Sequence, residues 1–386
     1  MTDQIINKKQ ERLFFIDNLR VLLIILVVTA HVSLTYGSSE GANAWYYYEP
    51  NKLLSTYLLT IFTAILASFI MGFFFMISGY FTPGSYNHKG PKAFLADRLL
   101  RLGIPLVFYI FAIGPFLKYI SLFKSGAYKL SFWHFYATDI LHFKVFDVGP
   151  LWFIEVLLIF TLIYYFYRLM TRKFSAVSQR GNKTPGNIAI IVFIFVLALF
   201  SFIVRLYYPL GKELIGVEIG YMPQYTLMYA VGIIASYNNW FIKLSNFMGK
   251  LWLTVAAIII LLWPVLILCG GALRGCDSFF IGGLHWQAFA YALWESFACL
   301  AIIIGLSVLF RNKLNRQGKL AKIMSKNAYT VFIIHPLVIV FLSYSIIKIA
   351  IHPMLKFVLV SFVGVALCFL ISQYMILKIP FLRRIL

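Results

Sequence analysis

The chain contains ten stretches of about 20 mostly apolar residues, each long enough to cross the hydrocarbon core of a bilayer. A spanning segment must satisfy its own backbone hydrogen bonds, which an α-helix does. Hydrophobic residues make up 61% of the 386 residues and charged residues 12%, against about 25% charged in soluble domains. The sequence therefore predicts an all-α, polytopic integral membrane protein with one domain over residues 1–386. The helices are expected near 13–36, 56–82, 100–123, 149–169, 187–208, 224–240, 251–270, 286–310, 328–350 and 355–378, of which 224–240 has the weakest pattern.

The positive residues that give the net charge of +21 are distributed according to this helix pattern, so the charge does not indicate a nucleic-acid partner. Most of the 34 lysines and arginines fall on one side of a ten-span arrangement. The segments on that side are the N-terminus, 83–101, 168–187, 241–250, 311–327 and the C-terminus. Positive charge collects in cytoplasmic loops. We therefore expect both termini in the cytoplasm and a multi-pass protein of the inner membrane, with the lipid bilayer as its surroundings.

The first apolar stretch carries three ionisable residues, Asp17, Arg20 and His31. Eleven residues of helix rotate by about three turns, so Arg20 and His31 lie on one face at different depths. Asp17 is one turn before Arg20 and can pair with it. Arg20 near a helix end is explained by snorkelling to the interface, but a histidine inside the membrane indicates a functional site.

A basic motif follows the second stretch, which contains the small residues Gly72, Ser78 and Gly79. In "DRLLRLGIPL", Arg98 and Arg101 lie three apart on one helix face. Two guanidinium groups at the start of a helix form a site for phosphate. Ordinary positive-inside charge is an equal alternative.

Three further ionisable residues lie inside later stretches. Glu155 and Glu295 are about six and nine residues below the expected outer surface, close to the depth of His31. Either carboxylate could fix the tautomer of that histidine. His335 is expected between the levels of Arg98 and His31, and its neighbour Pro336 also allows a purely structural role at a kink.

No zinc-ligand spacing, P-loop or dinucleotide fingerprint is present, so no metal is expected. Cys269 and Cys276 flank an outer loop and leave a disulfide open.

The chain resembles the acyltransferase type 3 family of integral membrane acyltransferases, over nearly its whole length. "IDNLRVLLIILVVTAH" is similar to the first-helix motif of that family, and "FFFMISGYF" to its second-helix motif. "RLLR" resembles its R-x-x-R motif, and "LWFIEVLL" and "YTVFIIHP" resemble two later segments. The resemblance implies ten core helices, acyl-CoA bound from the cytoplasm, and transfer of the acyl group to an extracytoplasmic carbohydrate.

The resemblance also assigns roles to residues. His31 is the expected catalytic base, with Glu155 or Glu295 orienting it; an acyl-histidine intermediate is the alternative route. Arg20, Arg98, Arg101 and His335 are expected to bind acyl-CoA. Trp152 and Ser78 are the candidate substrate contacts.

Two departures from the family pattern bear on these roles. Many members have an acidic residue five positions after the tryptophan, whereas Glu155 is three positions after Trp152. The sequence ends in "KIPFLRRIL", so the C-terminal hydrolase-like domain of some members is not expected, and the chain resembles the glucan-succinylating members more closely. A transporter or flippase for a glycolipid or organic anion is the rival hypothesis, because it too would carry buried charges. The acyl group, the acceptor and a possible homo-oligomer are left open.

Overall fold

The computed structural model describes residues 13–38, 45–171 and 184–386, and these residues are almost entirely helical. The all-α prediction is confirmed, with a single two-residue hairpin, β1 (Glu213–Leu214) and β2 (Val217–Glu218), as the β-structure of the described ranges. The long helices are α1 (Phe14–Thr35), α2 (Leu53–Lys89), α3 (Pro91–Lys124), α4 (Trp152–Met170), α5 (Asn187–Tyr207), α6 (Met222–Asn238), α7 (Asn246–Cys269), α8 (Trp286–Lys313), α9 (Lys319–Ser345) and α10 (Pro353–Ile376).

Nine of these helices are long and apolar enough to cross a membrane, counted over the described residues. The exception is α6, the weakest of the sequence patterns. Its 17 residues rise about 25 Å, somewhat less than the roughly 30 Å hydrocarbon core. The multi-pass architecture is thus supported, while the count of ten spans and the side of the termini stay predictions.

Burial divides the helices into an interior group and a peripheral group. Helices α8 and α9 are the most enclosed, and α1 and α2 pack against them. The peripheral helices α5, α7 and α10 keep most of their apolar surface exposed, with Ile188 and Phe362 each 81% exposed. An apolar exterior suits a lipid environment, because lipid tails solvate such side chains as well as a protein core does.

The contact between α2 and α6 depends on two glycines. A Cβ atom at Gly79 would lie 2.2 Å from the carbonyl oxygen of Tyr229, and one at Gly232 would lie 2.1 Å from the carbonyl oxygen of Met76. Neither distance is possible for a real side chain. Lipid tails are as apolar as helix side chains, so the hydrophobic effect does not drive membrane helices together. Small residues allow two backbones to approach closely, and the close packing stabilises the contact instead.

Helix α3 contains two π-helical segments, Leu99–Gly103 and Tyr109–Ile113, each followed closely by a proline. Pro105 has no N–H to donate to the carbonyl of Arg101, four residues earlier. The hydroxyl of Tyr329 on α9 donates to that carbonyl instead. The proline therefore leaves a carbonyl group free to accept a hydrogen bond from α9, and this bond joins α3 to α9. The irregular backbone also sets the geometry of the Arg98–Arg101 segment.

The bundle has two opposite ends, the first face and the second face. The first face is the end at which α1 begins, where Asn18 Nδ2 donates to the carbonyls of Leu314 (2.7 Å) and Arg316 (3.0 Å) in the loop between α8 and α9. The second face is the opposite end, where α1 finishes and α2 begins. Cys269 and Cys276, near the second face, are free thiols.

The glycine contact gives a prediction with a control on the same helix. Gly79→Ala should destabilise the protein by about 1–3 kcal/mol, because overpacking forces the two backbones apart. Gly84→Ala, where nothing lies within 4 Å of the added Cβ, should be neutral or slightly stabilising. The apparent Tm of both variants in detergent checks this. Equal Tm values would show that the close approach of α2 and α6 does not contribute.

Candidate functional site

Two histidines meet inside the bundle, His31 on α1 and His335 on α9. His335 Nε2 lies 3.3 Å from His31 Nδ1, and His31 Nδ1 also lies 2.9 Å from the carbonyl oxygen of Val27. His335 Nδ1 lies 2.6 Å from the carbonyl oxygen of Phe332. The sequence placed His335 among the donor-binding residues, whereas the structure places it directly against the expected base.

The carbonyl groups around this pair determine where the protons lie. His335 Nδ1 faces an acceptor, so this nitrogen carries the proton and Nε2 holds the lone pair. That lone pair and the Val27 carbonyl both face His31 Nδ1, which therefore carries the proton of His31. The remaining nitrogen, His31 Nε2, holds a lone pair and can act as a base.

The segment 45–51, which follows α1, covers the histidine pair. The Trp45 ring lies 4.6 Å from the His31 ring, centroid to centroid. Glu49 accepts two bonds from Lys356 Nζ on α10, at 2.9 and 3.0 Å, and one from the hydroxyl of Tyr47 at 3.0 Å. Because the Lys356 side chain is only 3% exposed, this is a shielded ion pair that fixes the segment over His31.

A second anchor of the same segment is the hydroxyl of Tyr46, which lies 3.1 Å from the hydroxyl of Tyr109 on α3 and also bonds to Asp147. Burial raises the pKa of Tyr46 well above its usual range, and burial likewise raises the pKa of the Asp147 carboxyl. The tyrosine is thus a permanent donor. Together the two anchors give His31 a rigid cover on one side.

The other side of His31 lines a cavity of about 1190 Å³ at the second face. This volume is slightly above the usual range for ligand sites, about 300–1,000 Å³. The wall combines threonines of α2 with aromatic rings and carboxylates. The aromatic members are Tyr57, Trp152, Tyr221, Tyr225, Trp263, Phe280, Tyr291 and Phe332, and the acidic members are Glu213, Glu218 and Asp277.

Trp152, the candidate substrate contact from the sequence, lines the cavity. Its ring stacks on Tyr225 with centroids 5.1 Å apart and forms part of the cavity wall. Glu155, one turn later on α4, is not among the residues that line this cavity. Its Oε2 is buried without a hydrogen-bond partner among the described residues.

Glu295 bonds to an arginine and not to His31. Its Oε2 accepts a 2.6 Å bond from Arg205 Nη2, and both side chains are almost completely buried. Arg205 also donates to the carbonyl of Gly220 and lies over the rings of Tyr221 and Tyr291. Sequence analysis missed Arg205 because it lies near the end of α5, where a charge is usual. The sequence did contain a signal for this pair, because one acidic residue, Glu295, and one basic residue, Arg205, each lie inside an expected span.

The predicted donor-site residues lie toward the first face. Arg20 pairs with Asp17 at 3.7 Å, as predicted, and its guanidinium lies 4.9 Å from the centroid of the Phe81 ring. Ser78 is half-buried one turn before Phe81 on α2. This part of the structure therefore brings the start of α1 against the second half of α2.

Arg98 and Arg101 have different surroundings. Arg98 lies over the Phe94 ring, interacts electrostatically with Tyr229 and Tyr329, and has a buried Nε without a partner in the described part of the chain. Arg101 is 52% exposed and its Nε lies 3.2 Å from Asp97 Oδ1. Arg98 thus keeps an unused donor, whereas Arg101 already has a carboxylate partner.

A metal site in residues 13–38, 45–171 and 184–386 would need several His, Cys, Asp or Glu side chains close together. No group of three or more His, Cys, Asp or Glu side chains in those ranges is arranged to hold an ion. The chemistry available at the site is that of an imidazole base next to a large polar and aromatic cavity.

The Arg205–Glu295 pair gives a prediction that separates a structural from a catalytic carboxylate. Glu295→Gln should lower the Tm sharply, by the equivalent of about 3–5 kcal/mol, because it leaves the buried Arg205 charge uncompensated. The double variant Arg205→Met, Glu295→Leu should recover much of that stability. A Glu295→Gln protein with the wild-type Tm and no catalytic activity would instead assign Glu295 to the reaction.

The chain is similar to known proteins over part of its length. The chain is 28% identical over 199 residues to glucans biosynthesis protein C of Escherichia coli (strain K12), which covers 50% of this chain and 49% of that protein. It is 30% identical over 156 residues to the protein of the same name from Salmonella heidelberg (strain SL476), covering 39% of this chain and 38% of the relative. The chain thus spans about half the length of these relatives or less. No solved structure matches.

A family model described as an acyltransferase domain matches residues 13–373, nearly the whole chain. The match includes the histidine pair, the cavity helices and the arginines at the first face. The chain therefore belongs to the acyltransferase type 3 family.

Proposed function

We propose that this protein transfers an acyl group from acyl-CoA, bound at the first face, to a hydroxyl group of a carbohydrate in the cavity at the second face. The observation that carries the proposal is His31, whose Nδ1 is occupied by Val27 and His335 and whose Nε2 is left for the cavity. Membership of an acyltransferase family and relatives named for glucan biosynthesis support the reaction class and the acceptor.

The proposed reaction needs one proton carrier. His31 Nε2 takes the proton of the acceptor hydroxyl while the hydroxyl oxygen attacks the thioester carbon. The carbon–sulfur bond then breaks, and the CoA thiolate receives the proton from Nε2. The products are an O-acyl carbohydrate and free CoA. An acyl-histidine route would use the same nitrogen as the nucleophile.

His335 takes the orienting role that the sequence gave to a glutamate. Its Nε2 lone pair faces the Nδ1 proton of His31, which fixes the reactive tautomer and stabilises positive charge on His31 during proton transfer. His335 is thus proposed as a positioning residue. The sequence gave Glu155 the same orienting role, but Glu155 does not line the cavity, and the buried Glu295 supports the cavity wall through Arg205.

The donor would enter from the opposite side. Eleven residues of α1 separate Arg20 from His31, a rise of about 16.5 Å that the extended pantetheine arm of CoA has to bridge. Arg20, Arg98 and Arg101 are proposed to bind the CoA phosphates, with Ser78 beside the path. In a cell this arrangement requires the first face in the cytoplasm and the cavity outside the inner membrane. The acyl group would be acetyl, succinyl or a similar short group.

The role of His31 can be tested by release of free thiol from acetyl-CoA or succinyl-CoA by the purified protein with a glucan acceptor. His31→Gln can hydrogen-bond but cannot carry the proton, so turnover should fall about 10²–10⁴-fold with an unchanged Tm. His31→Ala should be as inactive, and His142→Gln, an exposed histidine before α4, should keep wild-type turnover. Near-normal turnover by a stable His31→Gln protein would refute the mechanism.

The donor site gives a ranked prediction. Arg98→Ala should raise the KM for acyl-CoA roughly 10- to 150-fold, the effect of losing a charge-assisted hydrogen bond of about 1.5–3 kcal/mol. Arg98→Lys should recover part of this, since lysine lacks the planar fork. Arg101→Ala should have a smaller effect because Arg101 is exposed and paired with Asp97.

The exposed Arg383 near the C-terminus provides the control for this series, and Arg383→Ala should leave the KM unchanged. Equal KM values for wild type and Arg98→Ala would show that Arg98 does not bind the donor and that its charge only follows the positive-inside rule.

A further inference from the structure

The charged residues that line the cavity share one sign. Glu213, Glu218 and Asp277 contribute carboxylates, and neither lysine nor arginine is among the described lining residues. This is unexpected in a chain with a net charge of +21. A cleft lined by charges of one sign focuses the electric field and controls which ligands enter.

Two nearby cations lie outside the cavity lining, although the charge of Arg205 also acts on the Glu218 carboxyl. Arg205 is buried behind Tyr221 and Tyr291, and its charge is balanced by Glu295. Lys212 directs its Nζ toward the ring of Tyr208, 5.2 Å from the centroid. Neither side chain belongs to the lining.

The β1–β2 hairpin holds two of the carboxylates together. Glu213 pairs with Glu218 across the ladder, so the two side chains project from the same side of the hairpin. Like charges directly opposite each other destabilise a strand pair. The turn adds further strain, because Ile215 is β-branched and has a φ of 53°. A local arrangement that opposes its own stability is expected at functional sites.

The hairpin is held firmly in this unfavourable arrangement. The backbone N–H of Gly211 donates to Glu218 Oε1. Gly216 lies against Val148, since a Cβ atom there would be 2.4 Å from Val148 Cγ2. Glu218 is therefore held at the cavity, and Glu213 projects from the same side of the hairpin.

We propose that the cavity selects uncharged glycan segments as acceptors and rejects segments that carry phosphate or carboxylate substituents, an inference that rests on the proposed function. Stacked rings such as Trp152 and Tyr225 offer flat apolar surfaces for sugar rings. The carboxylates accept hydrogen bonds from sugar hydroxyls and repel anions, and like-charge contacts in an interface are strongly unfavourable.

The test compares two acceptors that differ only in charge. One is a neutral β-glucan oligosaccharide, and the other is the same oligosaccharide with phosphate substituents. Wild-type kcat/KM for thiol release should be at least about tenfold lower with the anionic acceptor. The ratio should shrink between 0.1 and 1 M salt, as the Debye length falls from about 10 to 3 Å.

Removal of the three charges should abolish the selection. The triple variant Glu213→Gln, Glu218→Gln, Asp277→Asn should bring the two kcat/KM values within about twofold of each other. Asp139→Asn, outside the cavity, should keep the wild-type ratio. If the triple variant does not fold, the exposed Glu213→Gln alone should reduce the ratio. Equal kcat/KM for both acceptors in the wild type would overturn the proposal.

Failure of the proposed acyl transfer can be distinguished from failure of the charge selection. If no acceptor supports thiol release, the acyl-transfer hypothesis fails, and the binding affinities of the same two oligosaccharides still test the selection. Tighter binding of the neutral oligosaccharide would support it, and equal affinities would refute it.

Discussion

The structure depends on one constraint, that a polar side chain surrounded by hydrocarbon must find its partner within the protein. The histidine pair joins α1 to α9, and the Arg205–Glu295 pair joins α5 to α8. Ser372 and Gln373 of α10 bond to Asn327 of α9 in the same way. These buried polar pairs therefore define which helices are neighbours, and the apolar majority fills the space between them.

This constraint also explains how the two ends of the molecule are separated. The arginines of the predicted donor site lie toward the first face and the cavity carboxylates at the second, while His31 and His335 lie between the two groups. The segment 45–51 covers the pair on one side through Lys356 and Tyr109, so the cavity is the open approach to His31. The bundle thus separates two oppositely charged regions along its length, with the histidine pair between them.

Much of this could be predicted from the sequence, and what was missed has a common cause. Helical periodicity fixes positions along one helix, so the Asp17–Arg20 pair could be predicted without a structure. The rotation of one helix against another depends on close packing, such as that at Gly79 and Gly232. Depth alone therefore suggested Glu295 as a partner of His31, when its partner was Arg205, and it gave no reason to join His335 to His31. The hairpin of Glu213 and Glu218 lies between spans, where hydrophobic patterns carry no information.

The histidine pair has a consequence for synthesis of the protein. Its two members are 304 residues apart in sequence. A chain is made from its N-terminus, so α1 enters the membrane long before α9 exists. The contact between His31 and His335 therefore forms only when most of the polypeptide has been inserted. The junction between the first and the ninth helix is consequently among the last parts of the bundle to be completed.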